Sequence, residues 1–207
     1  MDSFNKLADL FKQFPGIGAR QSKRFVYFLL SRDPEFIKEF VRLAGTLKKD
    51  TVVCEQCFRF FQRKNGRNLC SVCADQNRSD SELLVVAKDT DLDSVEKSGT
   101  YSGRYFVLGG TISLLESKSS KRVRVKELLT HVSGLLKKGV LTEIILALSA
   151  NPDGEHTSDE LRKALTPLLP ATQKVKISVL GRGLSTGSEL EYADKETIKS
   201  ALRNRVS

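Results

Sequence analysis

Four cysteines fall in two Cys-x2-Cys pairs, Cys54 with Cys57 and Cys70 with Cys73, with twelve residues between the pairs and no other cysteine in the chain. Each such turn presents two thiolates about one ligand edge apart, and two turns complete the tetrahedron that zinc prefers. Neither His131 nor His156 lies nearby in sequence, so the ligand set is all sulfur. Four protein ligands leave no open position for water or substrate, which predicts one structural Zn2+ per chain and not a Lewis acid. Two disulfides or two redox pairs are the competing readings, and both fit poorly a cluster confined to 20 residues. The surrounding segment, residues 51–78, is too short and too polar to fold on apolar burial alone; Arg59, Arg63, Lys64, Asn65, Arg67 and Asn68 crowd its spacer.

The pattern differs on the two sides of this module. Ahead of it, residues 1–50 read as three helices. Ser3 is a plausible N-cap for a first helix with Phe4, Leu7, Ala8, Phe11 and Phe14 at helical spacing, which ends at Pro15-Gly16-Ile17-Gly18. A second runs from Ala19 to Ser31 with Phe25, Val26, Phe28 and Leu29 on its apolar side, and Asp33-Pro34 opens a third from Glu35 to Leu47. Behind the module, short apolar runs alternate with helical stretches. Residues 83–87, 105–108, 144–148 and 175–180 read as strands, and 90–97, 126–138, 157–168 and 195–205 as helices. That alternation predicts an α/β domain over 79–180 with a mostly parallel sheet, followed by a tail at 181–207 with a short closing helix. The fold class is therefore α+β multidomain. A polar stretch from Glu116 to Lys126 reads as an exposed basic loop, with contact to phosphates as the alternative.

The net charge of +9 is concentrated at the front: residues 1–78 hold 15 Lys and Arg against 8 Asp and Glu. Such a local excess attracts polyanions through counterion release. Helix, Pro-Gly-apolar-Gly turn, helix is the pattern of a helix-hairpin-helix. Its glycines allow positive φ, and the amides opening the second helix can face a phosphate. Arg20, Lys23 and Arg24 stand at i, i+3 and i+4 and share a helical face, which makes them the candidate DNA-binding residues. No apolar stretch approaches the roughly 20 residues needed to cross a bilayer, and the first residues lack the order of a signal peptide, so a cytoplasmic location without membrane partners is expected.

The order of hairpin, cysteine module and α/β domain resembles the bacterial recombination mediator family RecR. So do the stretches Ser102-Gly103-Arg104-Tyr105-Phe106-Val107-Leu108-Gly109-Gly110 and Glu189-Leu190-Glu191-Tyr192-Ala193-Asp194. The likeness runs from about Leu7 to Arg205. It implies that the α/β part is a Toprim domain and that Gly181 to Asp194 is a Walker-B-like tail motif. It also implies a nucleoid-associated role in DNA repair, in which RecO or RecF joins the protein to help load the recombinase RecA on gapped DNA. Members assemble as dimers or ring-like tetramers, and Arg20 and Arg24 match the basic residues of the hairpin that touch DNA. Two departures stand out. The first Toprim strand ends Val85-Val86-Ala87 where the family usually has Val-Val-Glu, and the cysteine spacer is long.

The rival reading is a metal-dependent Toprim nuclease or phosphotransferase, which needs clustered acids to hold Mg2+. Asp153 and Glu155 follow the 144–148 strand as a possible residual acidic half-site, with Asp89 or Asp91 as companions. With alanine at position 87 and no nucleophilic tyrosine in a recognisable setting, the expectation is a non-enzyme. Asp153 and Glu155 then serve a helix start. A Gly-x4-Gly-Lys-Ser/Thr loop is absent, so Glu189 and Glu191 read as partner or subunit contacts rather than parts of a nucleotide site.

Overall fold

The structure is a computed structural model that describes residues 2–63, 66, 68–114, 123–170, 172–181, 183–184, 187 and 189–203, with Glu196 in its backbone alone. Lys64, Asn65 and Arg67 of the spacer, residues 116–122 of the basic loop with residue 115 before it, and 204–205 of the expected closing helix lie outside the described residues. The chain divides into two compact units, 1–51 and 52–207.

In the first unit, α1 (Ser3–Phe11) is capped by Asp2, whose Oδ1 accepts the Asn5 N–H at 2.8 Å; the cap is one residue earlier than the sequence suggested. Its apolar stripe meets α2 (Ala19–Leu30) through Ala8, Phe11 and Val26, the buried centre of the unit, with Phe4, Leu7, Phe25 and Leu29 around them. Of the two hairpin glycines only Gly16 takes positive φ, at 75°. Gly18 lies in extended backbone as the N-cap of α2, a position where glycine is tolerated without a side-chain bond. The third helix, α3 (Pro34–Asp50), starts on an Asp33 cap and runs three residues beyond the expected Leu47, because Lys48 and Lys49 suit the negative end of the helix dipole. No α3 residue is buried.

The second unit opens with a two-stranded ribbon, β1 (Thr51–Val53) and β2 (Phe60–Gln62), and the short helix α4 (Ser71–Ala74). Then β3 (Glu82–Val86), α5 (Asp89–Ser98), β4 (Arg104–Val107), α6 (Val125–Lys138), β5 (Glu143–Ala147), α7 (Pro152–Leu165), β6 (Lys176–Val179) and α8 (Lys195–Arg203) follow. The four longer strands pair in parallel in the order β4-β3-β5-β6. Side chains alternate between two cores, as the pleat requires. Leu83, Val85, Phe106, Leu108, Ile144 and Leu146 pack against α6 and α7, whereas Leu84, Val86, Tyr105 and Val107 pack against Leu92 of α5 and the four cysteines.

One boundary differs in a way that matters for the acidic residues. Helix α7 begins at Pro152, five residues ahead of the expected 157. Asn151 Oδ1 accepts the Gly154 N–H at 2.8 Å, and Pro152 occupies the first turn, where its missing N–H costs nothing.

Candidate metal centre and nucleic-acid face

The cysteine sulfurs all lie within 4.8 Å of one another and all four residues are buried. A tetrahedron with Zn–S bonds near 2.3 Å has edges of about 3.8 Å; the Cys57 and Cys70 sulfurs stand 3.6 Å apart. The Cys70 N–H donates to Cys54 Sγ at 3.4 Å, a bond that favours a thiolate there. Hydrogen bonds from Cys57, Cys70 and Cys73 hold Cys54 well below the ordinary thiol range, while its contacts with Cys54 and Cys70 push Cys57 up and those with Cys54, Cys57 and Cys70 push Cys73 up. Sulfurs so crowded and dry cannot all ionise without a cation among them. The donor set, its burial and its spacing fit a tetrahedral zinc ion.

The sheet's edge strand holds both cysteine turns. Val107 N–H donates to the Cys57 carbonyl at 2.8 Å. Arg104, three residues back on the same strand, sends Nη1 to the Val72 and Cys73 carbonyls at 3.1 and 3.2 Å and Nε to Asp80 at 2.6 Å. Phe58, the one non-glycine residue with positive φ among the described residues, turns the chain just after Cys57, and its ring meets Phe106, centroids 5.1 Å apart. Helix α5 supplies the remaining anchors: Asp89 Oδ1 accepts the Phe60 N–H at 2.7 Å, and Asp93 pairs with Arg59 at 2.8 Å. At the module's end Arg78 pairs with Glu96 at 2.5 Å, and Glu96 also accepts the Tyr105 hydroxyl at 2.6 Å. None of these partners was legible in the sequence, since they lie 9 to 50 residues apart.

The connections that leave β3 for β4 and β5 for β6 run in opposite directions along the sheet, which places the fold's usual ligand crevice beyond the C-terminal ends of β3 and β5. There Ala87 is buried and carries no carboxylate. Asp89 is committed to the Phe60 amide, and Asp91 Oδ2 accepts the Lys88 N–H at 2.9 Å. Asp153, in the first turn of α7, accepts the Leu114 N–H at 3.1 Å, and the Thr157 hydroxyl that caps its carbonyl accepts the Ile112 N–H at 2.8 Å. These bonds tie down the chain after β4. Glu155 is exposed and shares an open cleft with Lys199 and Arg203 of α8. Glu189 and Glu191 are exposed at a single 3-10 turn, Leu190–Tyr192. His131 packs its ring on Phe106, and burial lowers its pKa.

In the first unit Arg20, Lys23 and Arg24 are all exposed on α2, and their spacing puts them on one face of it. The start of α2 has no side-chain cap and no acid in its first turn. On another side, Phe14, Phe28, Phe36, Phe40, Leu43 and Leu47 help to line an open apolar groove of about 790 Å3.

A parallel sheet in this order, with a four-sulfur module fastened to its edge, defines a Toprim protein carrying a cysteine module. The family model for the Toprim domain matches residues 81–181, and the model described as RecR, C-terminal matches residues 183–206. The Recombination protein RecR of Paenarthrobacter aurescens is 32% identical over 97% of this chain and 94% of its own length. That of Lactobacillus acidophilus is 31% identical over 97% and 95%, and that of Herpetosiphon aurantiacus 32% over 97% and 92%. The chain belongs to the RecR family of recombination proteins. No helix among the described residues is long and apolar enough to cross a membrane.

Proposed function

We propose that this protein binds DNA without reading its sequence and acts as a mediator in recombinational repair, working with RecO or RecF to help load RecA on gapped DNA. The observation that carries the DNA reading is the exposed triad Arg20, Lys23 and Arg24 beside an uncapped, acid-free helix start. Guanidinium and ammonium groups on one face meet phosphates, and free amides at a helix N-terminus add to the same field. Contacts of this type position a protein on the backbone and carry no base information. One zinc ion held by Cys54, Cys57, Cys70 and Cys73 supplies a cross-link and no catalysis, since its four positions are filled by sulfur. The groove on the helical unit fits a second copy of the chain, in a dimer or a ring-like tetramer. The absence of a carboxylate at Ala87 and the structural commitments of Asp89, Asp91 and Asp153 favour a mediator over a nuclease.

Replacing Arg20 and Arg24 by Ala should weaken binding equally for every DNA sequence. Each lost phosphate contact should reduce the slope of log affinity against log salt by about 0.7 for single strands or 0.9 for duplex. Light scattering alongside must show unchanged assembly, because a ring that falls apart loses avidity. Full affinity at all salt concentrations in an intact double variant would remove the hairpin from the DNA site. Metal-dependent DNA cleavage that vanishes in Asp153→Asn would replace the mediator reading with the enzyme.

A further inference from the structure

Strand β4 touches both halves of the cysteine site. The first turn, Cys54 to Cys57, is held at the Cys57 carbonyl by the Val107 amide. The second, Cys70 to Cys73, is held at the Val72 and Cys73 carbonyls by the guanidinium of Arg104. Two residues three apart on one rigid strand therefore fix the separation of the two thiolate pairs. The strand is itself paired to β3 along its whole length, Arg104 opposite Leu83 through Val107 opposite Val86. Arg104 is the variable part of this clamp. A backbone amide is supplied by almost any residue at 107, whereas only a planar fork reaches two adjacent carbonyls and a carboxylate at once. The Arg104 side chain is mostly buried, and Asp80, at 2.6 Å, holds its Nε.

We propose that Arg104 is a positioning residue for the metal centre: it holds the Cys70–Cys73 turn in the geometry that closes the sulfur tetrahedron, and so slows loss of the ion. This rests on the reading of the cysteines as a zinc site. Asp80 offsets the guanidinium's charge, so Arg104 acts through its hydrogen bonds to the turn rather than through net charge. Groups that orient ligands in this way change metal affinity by roughly 10- to 100-fold when removed. Arg104 acts on the backbone of the turn and not on a ligand atom, which places its effect at the lower end.

The experiment uses the full chain loaded with one equivalent of zinc. Metal content of the wild type is measured first; a chain that takes up no zinc defeats the zinc reading itself, and this inference with it. Release is then followed by a chromogenic chelator in excess. Arg104→Met should release zinc about tenfold faster, and Arg104→Lys, which keeps the charge without the fork, should fall between. Thermal melts separate positioning from general stability. In metal-free protein Arg104 keeps its pair with Asp80 but the turn it grips is not built, so the gap between wild type and Arg104→Met should be smaller there than in the loaded forms. Loaded wild type with Arg104→Met and Arg104→Lys both releasing at the wild-type rate would overturn the inference while leaving the zinc site standing. So would a melting deficit equally large without metal. If Arg104→Met does not fold, Arg104→Lys alone decides between these outcomes on the same two measurements.

Discussion

A methyl group added at Gly154 would meet the Ser149 carbonyl oxygen at 2.0 Å and the Asn151 side chain at 3.2 Å. Alanine is the better helix former by roughly 1 kcal/mol, but here the obstruction is backbone, and overpacking of this kind costs about 1–3 kcal/mol or more. Gly154→Ala should therefore destabilise the sheet unit. Gly134, midway along α6, has ordinary φ and open space where a Cβ would go, so propensity acts alone there. Gly134→Ala should stabilise by up to about 1 kcal/mol. Chemical denaturation of both variants checks the pair, and equal signs would refute the steric account. The same turn explains an error of sequence reading at this scale. Asp153 and Glu155 stood in the chain ahead of an expected helix start, whereas an Asn151 cap and a glycine close to the preceding loop draw both into the helix's first turn.

The cysteine module was the most legible element, because four like ligands at fixed spacing leave little choice of geometry. Its attachment was hidden. Nothing in the local pattern marks Arg59, Arg78 and Arg104 for burial, yet each is mostly buried against partners contributed by α5 or the 70–80 segment. Local pattern records the period of a strand and not which groups cross its edge. For Cys57→Ser the expectation is loss of zinc together with loss of the fold of residues 51–78. Structural zinc contributes roughly 10 kcal/mol or more to small modules of this kind. Hydrogen exchange should then show the Val107 amide unprotected, since its acceptor is the Cys57 carbonyl, while Val85 and Ile144 in the centre of the sheet remain slow. Metal analysis and exchange on the same sample test both halves of that statement.

For the whole molecule, the alternation of strand and helix announced the parallel sheet, and the structure places its helices on both faces. The helical unit was less readable as a whole. Its sequence gives three amphipathic helices, but only Ala8, Phe11 and Val26 bury fully, and α3 keeps Phe36, Phe40, Leu43 and Leu47 in an open groove. A stripe of apolar residues does not say whether its cover lies within the chain or on another copy. Leu43, 52% exposed, is a suitable probe: Leu43→Asp should keep the helices by circular dichroism and lower the mass seen by light scattering. An unchanged mass would place the subunit contact elsewhere. The cysteine module also has a consequence for how these chains behave in company. β4 is an edge strand of sequence Arg-Tyr-Phe-Val, rich in residues that favour sheet, and the module covers it by taking the Val107 amide. The opposite edge, β6, starts with an exposed lysine, a common guard against strand addition. On the proposed zinc reading, stripping the metal would uncover the unguarded edge, so a chelated sample should turn cloudy with intermolecular sheet, and faster at higher protein concentration. In that light an ion held by these cysteines would be a solubility device as much as a fastening.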